Sequence, residues 1–195
     1  MTIISQIKQK NNILDYLEET EEKYRYNTAV SDGEESLTWH ELIVMAKKAG
    51  CGISRIIQPG SPVPVMMEKS PSTLAVMLGA VYAGCFYVPV NPDNPPERLE
   101  KIFQTLEAGI IVTDRKSREY LSSHDKRNKI IMAEDLFGED IQPERLTAIR
   151  EKSRESDILY GLFTSGSTGT PKAVAVSHGE VGGQAVLGRQ GSLTT

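Results

Sequence analysis

PVPVMMEKSPSTLAVMLGAVYAGCFYVPVNPDNPPERLEKIFQTLEAGIIVT, residues 62–113, alternates short β-rich runs with helix-like segments. PVPVMM (62–67) reads as a strand, and its two prolines place it at a sheet edge or have it enter the sheet late. Ser70 followed by Pro71 is an N-cap with proline at the first helical position, opening a helix that runs to about Gly84. CFYVPV (85–90) is a second strand, ended by the turn cluster NPDNPP. Asn94, Pro95 and Pro96 start the next helix, whose Leu99, Ile102, Phe103 and Leu106 recur at i, i+3, i+4 and i+7 and form one apolar face. Gly109 is expected to end it, and IIVT (110–113) is a short buried strand. Strand–helix–strand alternation of this kind predicts an α/β domain with helices layered on a mixed, largely parallel sheet.

The flanks extend the pattern. A helix is expected after Asn11 or Asn12, with Ile13, Leu14, Leu17 and Tyr24 as a partial stripe. TAVSDGEESLTW (28–39) reads as a hairpin about Asp32-Gly33. Thr38 and Glu41 form a capping box for a helix carrying Leu42, Ile43, Ala46 and Ala49, expected to stop at Gly50. Beyond IIVT, residues 115–129 hold six Lys/Arg with Glu119 and Asp125. Tyr120 is the one aromatic there, so a solvated helix and loop fits better than an anion-binding patch. KIIM (129–132) is a further strand, and 133–156 reads as a charged surface linker with one helix. No internal repeat is present.

Composition narrows the function classes. The 195 residues are 39% hydrophobic and 25% charged, with 16 Gly and 10 Pro, as in an ordinary globular protein large enough to bury a core unaided. A net charge of −4 provides no basic field for nucleic acid. Cys51 and Cys85 are the only cysteines; with no CxxC there is no structural zinc pattern, and two lone thiols point to buried residues in a reducing, cytoplasmic setting. A nucleophile reading for either is weak without a basic partner pattern. The amino-terminal MTIISQIKQKNN lacks the apolar core of a secretory signal. Residues 70–92 contain no charge, but Gly79, Gly84, Pro89 and Pro92 suit a buried helix followed by a strand, not a membrane span.

Chemistry concentrates in DILYGLFTSGSTGTPKAVAVSH, residues 157–178. Two apolar strand runs, Ile158–Phe163 and AVAV, flank a loop of glycines and hydroxyls that ends in one lysine. Gly166 and Gly169 let the backbone approach a ligand closely, and successive N–H groups can converge on an anion. The hydroxyls of Thr164, Ser165, Ser167, Thr168 and Thr170 add donors or a magnesium ligand. Lys172 supplies a mobile charge for phosphate oxygens. A Walker A loop does not fit: from Gly166 the four-residue spacer reaches Pro171 where glycine is required, and Ala173 follows the lysine. A flexible Ser/Gly linker fits poorly between two apolar strands.

FTSGSTGTPKAVAVSH resembles the signature phosphate loop of the adenylate-forming (acyl/aminoacyl-AMP ligase) superfamily, YTSGSTGxPKG. LTWHEL (37–42) is similar to that family's L-T-Y-x-E-L segment, and VYAGCFYVPVNPDNPPERL (81–99) to its K-A-G-x-x-Y-V-P segment with the trailing P-x-x-P-x-E-R. Pro92, Pro95, Glu97 and Arg98 lean towards adenylation domains of nonribosomal peptide synthetases and related carrier-protein ligases. The likeness runs from about Thr28 to Glu180. Ala173, Tyr82 and Asn91 depart from the pattern, standing where glycine, lysine and aspartate are usual; none touches the hydroxyls or Lys172.

The resemblance implies the front part of a large N-terminal adenylating domain and a two-step reaction. A carboxylate, here of an amino acid, attacks the α-phosphate of Mg-ATP to give an acyl-adenylate and pyrophosphate. The acyl group then passes to a carrier protein's phosphopantetheine thiol. Thr164, Ser165, Gly166, Ser167, Thr168, Gly169, Thr170 and Lys172 would hold the ATP phosphates, with Mg2+ arriving with ATP and not on a side-chain cluster. The family's substrate pocket, ribose-binding aspartate and catalytic lysine lie beyond this loop, so no catalytic residue is expected among these 195 and Lys172 is not that lysine. A non-catalytic remnant or nucleotide-binding module is the competing expectation.

Residues 1–180 are thus expected to form the N-terminal portion of an AMP-binding domain. Ser177 and Glu180 read as a capping box, yet Gly182, Gly183, Gly188 and Gly191 oppose a helix. The last fifteen residues or so, 181–195, are expected to be an atypical tail, out of frame or appended in cloning. His178 is a candidate for a place near substrate or for a structural cap. His40 and His124 read as surface residues and Trp39 as core or interface.

Overall fold

The structure, a computed structural model, describes residues 12–124, 128–164 and 172–182. The order of elements is α1 (Ile13–Tyr24), β1 (Thr28–Ser31), β2 (Ser36–Thr38), α2 (Trp39–Ser54), β3 (Pro62–Met66), α3 (Pro71–Tyr82), β4 (Phe86–Pro89), α4 (Pro96–Leu106), β5 (Ile110–Thr113), α5 (Arg115–His124), β6 (Lys129–Met132), α6 (Ala133–Phe137), α7 (Pro143–Arg150), β7 (Ile158–Thr164) and β8 (Lys172–Ser177).

β1 and β2 form the expected antiparallel hairpin, and the remaining strands one sheet in the order β6-β5-β3-β4-β7-β8. Every neighbour pair in that sheet is parallel except the last, β7 with β8. Alternate residues of the central strands feed opposite faces, as the period of two requires. Val63 and Val65 of β3 with Ile110 and Val112 of β5 pack on α2, α3 and α6 through Ala49, Ile53, Val76, Ala80 and Leu136. Met66, Val88 and Ile111 pack on the other side against Leu99, Ile102 and Phe103 of α4 and Leu121 of α5. A third cluster joins α1, α7 and β7 to α2 and α3 through Leu14, Leu146, Leu159, Leu42 and Leu78.

The helix starts follow their local chemistry. Asn12 with Asp15, and Thr38 with Glu41, are reciprocal capping boxes. Ser70 accepts from the Thr73 N–H ahead of Pro71.

Four expectations are corrected. PVPVMM is not an edge: β3 sits between β4 and β5 at the centre of the sheet. Its ladder to β5 pairs only Val65 with Val112 and Met66 with Thr113, so both prolines precede it and no N–H is missed on that side. α2 does not stop at Gly50 but continues to Ser54. A Cβ on Gly50 would lie 2.6 Å from Tyr82 Cβ, and one on Gly79 would lie 2.6 Å from Ala49 Cβ, so these two glycines let α2 and α3 touch backbone to backbone. α4 is ended by Glu107 in the left-handed region, φ 46°, and not by Gly109. Residues 133–156 carry two helices, and Leu136 and Leu146 from them are buried. Arg145 binds Ser54 through Nε (2.7 Å to Oγ) and Nη2 (2.5 Å to the carbonyl), and Arg150 binds Asp15 at 2.7 Å, so α7 is fastened to α2 and α1. Among the described residues, no helix is long and apolar enough to cross a membrane.

Candidate functional site

β7 runs parallel to β4, with Tyr87 opposite Tyr160 and their rings stacked at 5.6 Å. It therefore carries the chain to the carboxyl edge of the parallel strands, where ligands of open α/β sheets gather. β8 returns antiparallel, and its first residue, Lys172, pairs with the last of β7, Thr164. The Thr164 hydroxyl donates weakly to the Lys172 carbonyl at 3.5 Å. The two ends of the glycine–hydroxyl loop are thus held side by side, both exposed, by a seven-residue strand before it and a six-residue strand after it. Of the expected phosphate-binding residues, the structure describes Thr164 and Lys172; Ser165, Gly166, Ser167, Thr168, Gly169 and Thr170 lie outside the described residues.

The same edge receives the β3–α3, β4–α4 and β5–α5 connections. Asp114 ties two of them: its carboxylate accepts from the Glu68 N–H at 2.7 Å and from the Ser117 N–H at 2.8 Å. Thr113 donates to the Met66 carbonyl at 2.9 Å beneath this tie. Asn91 closes the β4–α4 turn, accepting from the Asp93 N–H at 3.0 Å. Lys116 pairs with Glu68 at 3.0 Å, which raises its pKa and spends its charge locally. Among the described residues no carboxylate pairs with Lys172, so its ammonium remains available to an incoming anion. Asp114 was not singled out in the sequence; the D-x-x-S spacing to Ser117, an N-cap signature after a buried strand, was the available signal.

A metal site made of side chains is not found: among the described residues no group of three or more His, Cys, Asp or Glu could hold an ion. The Thr164 hydroxyl, engaged only as a long donor, keeps its oxygen lone pairs unspent.

His178 is not near this edge. It follows β8, at the opposite end of the strand, roughly 20 Å along six residues from Lys172. It is 5% exposed, its N–H donates to the Asp157 carbonyl, and its Nδ1 accepts from the Ile13 N–H at 3.3 Å. Burial first, then the Arg150 charge, push its pKa down to about 4, so the ring is neutral at pH 7. It stands at the start of a helical turn capped by Ser177 and Glu180, with the Ser177 hydroxyl and Glu180 carboxylate 2.8 Å apart. Cys51 and Cys85 are both buried and unpaired. Burial raises the Cys85 thiol to about 11, which suits packing and not nucleophilic attack.

A mostly parallel α/β sheet with Thr164 and Lys172 closed together at its carboxyl edge belongs to the class of open α/β domains that take ligands at that edge. The family model for AMP-binding enzymes matches residues 17–191, and the chain belongs to that family. It is 32% identical to the nonribosomal peptide synthetase sidE of Aspergillus fumigatus over 165 residues, covering 83% of this chain and 8% of that protein. The Klebsiella oxytoca NpsA N-terminal subdomain in complex with 3-hydroxybenzoyl-AMSN superposes with a TM-score of 0.69 at 20% identity, covering 87% of this chain and 41% of that one. The nonribosomal peptide synthetase FmoA3 in its AMPPNP-bound form superposes with a TM-score of 0.74 at 24% identity, covering 87% of this chain and 18% of that one. The fold is therefore that of the front part of the N-terminal domain of adenylate-forming enzymes, of the kind found in nonribosomal peptide synthetases. The chain spans between 2% and 14% of the length of the curated relatives it matches.

Proposed function

We propose that this chain supplies the phosphate-binding part of a ligase that activates a carboxylic acid, an amino acid in the favoured case, as an acyl-adenylate. The observation that carries this is the Thr164–Lys172 closure at the carboxyl edge of the parallel sheet. Thr164, Ser165, Ser167, Thr168 and Thr170 would give hydroxyls, Gly166 and Gly169 close backbone approach, and Lys172 a cation, all to the β- and γ-phosphates of ATP. Mg2+, when bound with ATP, offsets phosphoryl charge, and the Thr164 hydroxyl is the described group suited to touch it. The protein's task in the first step is orientation and charge stabilisation: a carboxylate oxygen bonds to the α-phosphorus as the bond to pyrophosphate breaks. The acyl group would then move to a carrier-protein phosphopantetheine thiol, with residues 1–180 acting as the N-terminal portion of the adenylating unit and 181–195 as an atypical tail.

Two measurements test this. Amino-acid-dependent ATP–pyrophosphate exchange is expected of the full-length gene product, and no exchange with any carboxylic acid would sink the reading. This chain alone should bind Mg-ATP saturably, with the affinity lost in Lys172→Ala. Binding without exchange in the full-length product would leave a nucleotide-binding module; absence of both would leave a remnant.

A further inference from the structure

At the amino edge of the sheet, opposite the phosphate loop, lies a cavity of about 650 Å³. That volume is in the range of small-molecule sites. It is roofed by α7 and opens beside the starts of β4 and β7. One wall is apolar, built from Val81, Phe86 and Ile149. His178 lines it as well, 95% buried by its 5% exposure. Because His178 Nδ1 accepts from the Ile13 N–H, the neutral ring carries its proton on Nε2. That Nε2–H has no partner among the described residues, so the cavity contains one unspent donor on a fixed ring.

The charges around the cavity have a sign. Arg145 and Lys152, seven residues apart across the end of α7, both line it. Arg145 is anchored by Ser54 through Nε and Nη2, leaving Nη1 for a ligand. Asp157 is the one carboxylate among the described lining residues, and its Oδ2 is occupied by the Arg154 N–H at 2.7 Å. A donor on a buried ring, two cations and apolar lining are complementary to an anion with a hydrophobic body.

We propose that this cavity is a second ligand site, separate from the phosphate loop, that takes a small monoanionic carboxylate bearing an aromatic or branched apolar group. The carboxylate meets His178 Nε2–H, Arg145 and Lys152, and the apolar group lies against Val81, Phe86 and Ile149.

The test is a titration of the whole chain, labelled with ¹⁵N-histidine, with sodium benzoate at constant ionic strength. The expected result is a saturable shift of the His178 ring nitrogens, with half-buried His40, which does not line the cavity, unmoved. Lys152→Glu, an exposed rim change that leaves the core intact, should weaken the binding about fivefold by replacing attraction with repulsion. Lys172→Ala should leave it unchanged. The proposal is overturned if the His178 signals do not move, if all histidines drift together without saturation, or if Lys172→Ala abolishes the shift while Lys152→Glu does not. Acetate producing the same shift at the same concentration would also overturn it, since the apolar wall would then contribute nothing.

Discussion

His178 links a single ring to the stability of the whole chain. Its folded pKa, about 4, lies below its usual value near 6.5, because burial and Arg150 disfavour the imidazolium. The unfolded chain therefore binds the proton first as pH falls. The stabilisation from keeping the ring neutral is complete above about pH 6.5 and is lost as pH drops towards 4, an effect on the order of 2 kcal/mol after allowance for partial solvation. Urea midpoints at pH 7 and pH 5 should differ more for the native chain than for His178→Asn, whose amide oxygen can still accept the Ile13 N–H; equal differences would remove His178 from the acid response. Gly79 is a second decisive residue. Alanine gains helix propensity of roughly 0.5–1 kcal/mol. Its Cβ, however, would sit 2.6 Å from Ala49 Cβ and 3.2 Å from the Ala46 carbonyl. Overpacking costs about 1–3 kcal/mol, so Gly79→Ala should destabilise net by about 1–2 kcal/mol in urea melts. A neutral or stabilising outcome would mean that α2 and α3 can part at little cost.

At the level of elements, the helix entries are set by side chains near in sequence. Thr38 Oγ1 accepts from the Glu41 N–H at 3.2 Å, and the Glu41 carboxylate accepts from the Thr38 N–H at 2.8 Å. The Thr38 N–H, with the Thr38 hydroxyl that also donates to Glu41 Oε2 at 2.8 Å, holds the Glu41 pKa below the usual carboxylate range. Thr38→Ala should cost about 1 kcal/mol, read as a lower urea midpoint with unchanged slope. Entries of this kind were legible in the sequence, as were the β1–β2 hairpin and the apolar face of α4, because each depends on neighbours within a few residues. Strand order was not legible. β4 follows β3 on one side and β5 joins it on the other, a choice made by long-range packing on two faces, and it is this choice that moves the proline-rich β3 from a supposed edge to the centre. The course of α2 past Gly50 was hidden for the same reason, since only the α3 backbone opposite explains why a glycine there is useful. Likewise α6 and α7 look charged and linker-like until Leu136 and Leu146 are seen to be covered. The candidate site divides along the same line: its glycines, hydroxyls and lysine stand in one short segment, whereas the Asp114 tie spans 46 residues to Glu68.

For the molecule as a whole, burial is uneven across the sheet. β3, β4 and β5 are covered on both faces, whereas the β7–β8 end is not. Leu162 and Val174 face each other across that pair and are 41% and 48% exposed, and β8 is the last strand of the sheet among the described residues, with Ala173 and Ala175 also exposed. An apolar pair uncovered among the described residues, beside a strand with no outer neighbour among them, favours association, because the edge offers backbone hydrogen bonds and the pair offers area to bury. The only charge on β8 is Lys172 at its first position, too far along to guard Val174. The chain should therefore self-associate with rising concentration in sedimentation velocity. Val174→Lys should suppress this while shifting the urea midpoint by no more than about 0.5 kcal/mol, since the side chain it replaces is half exposed. If the native chain is a monodisperse monomer that unfolds cooperatively at every concentration, the β7–β8 face is not adhesive. If Val174→Lys leaves association intact, the contact lies elsewhere on the surface. Suppression by Val174→Lys together with retained Mg-ATP binding would separate the adhesive face of the hairpin from the Thr164–Lys172 closure at its tip.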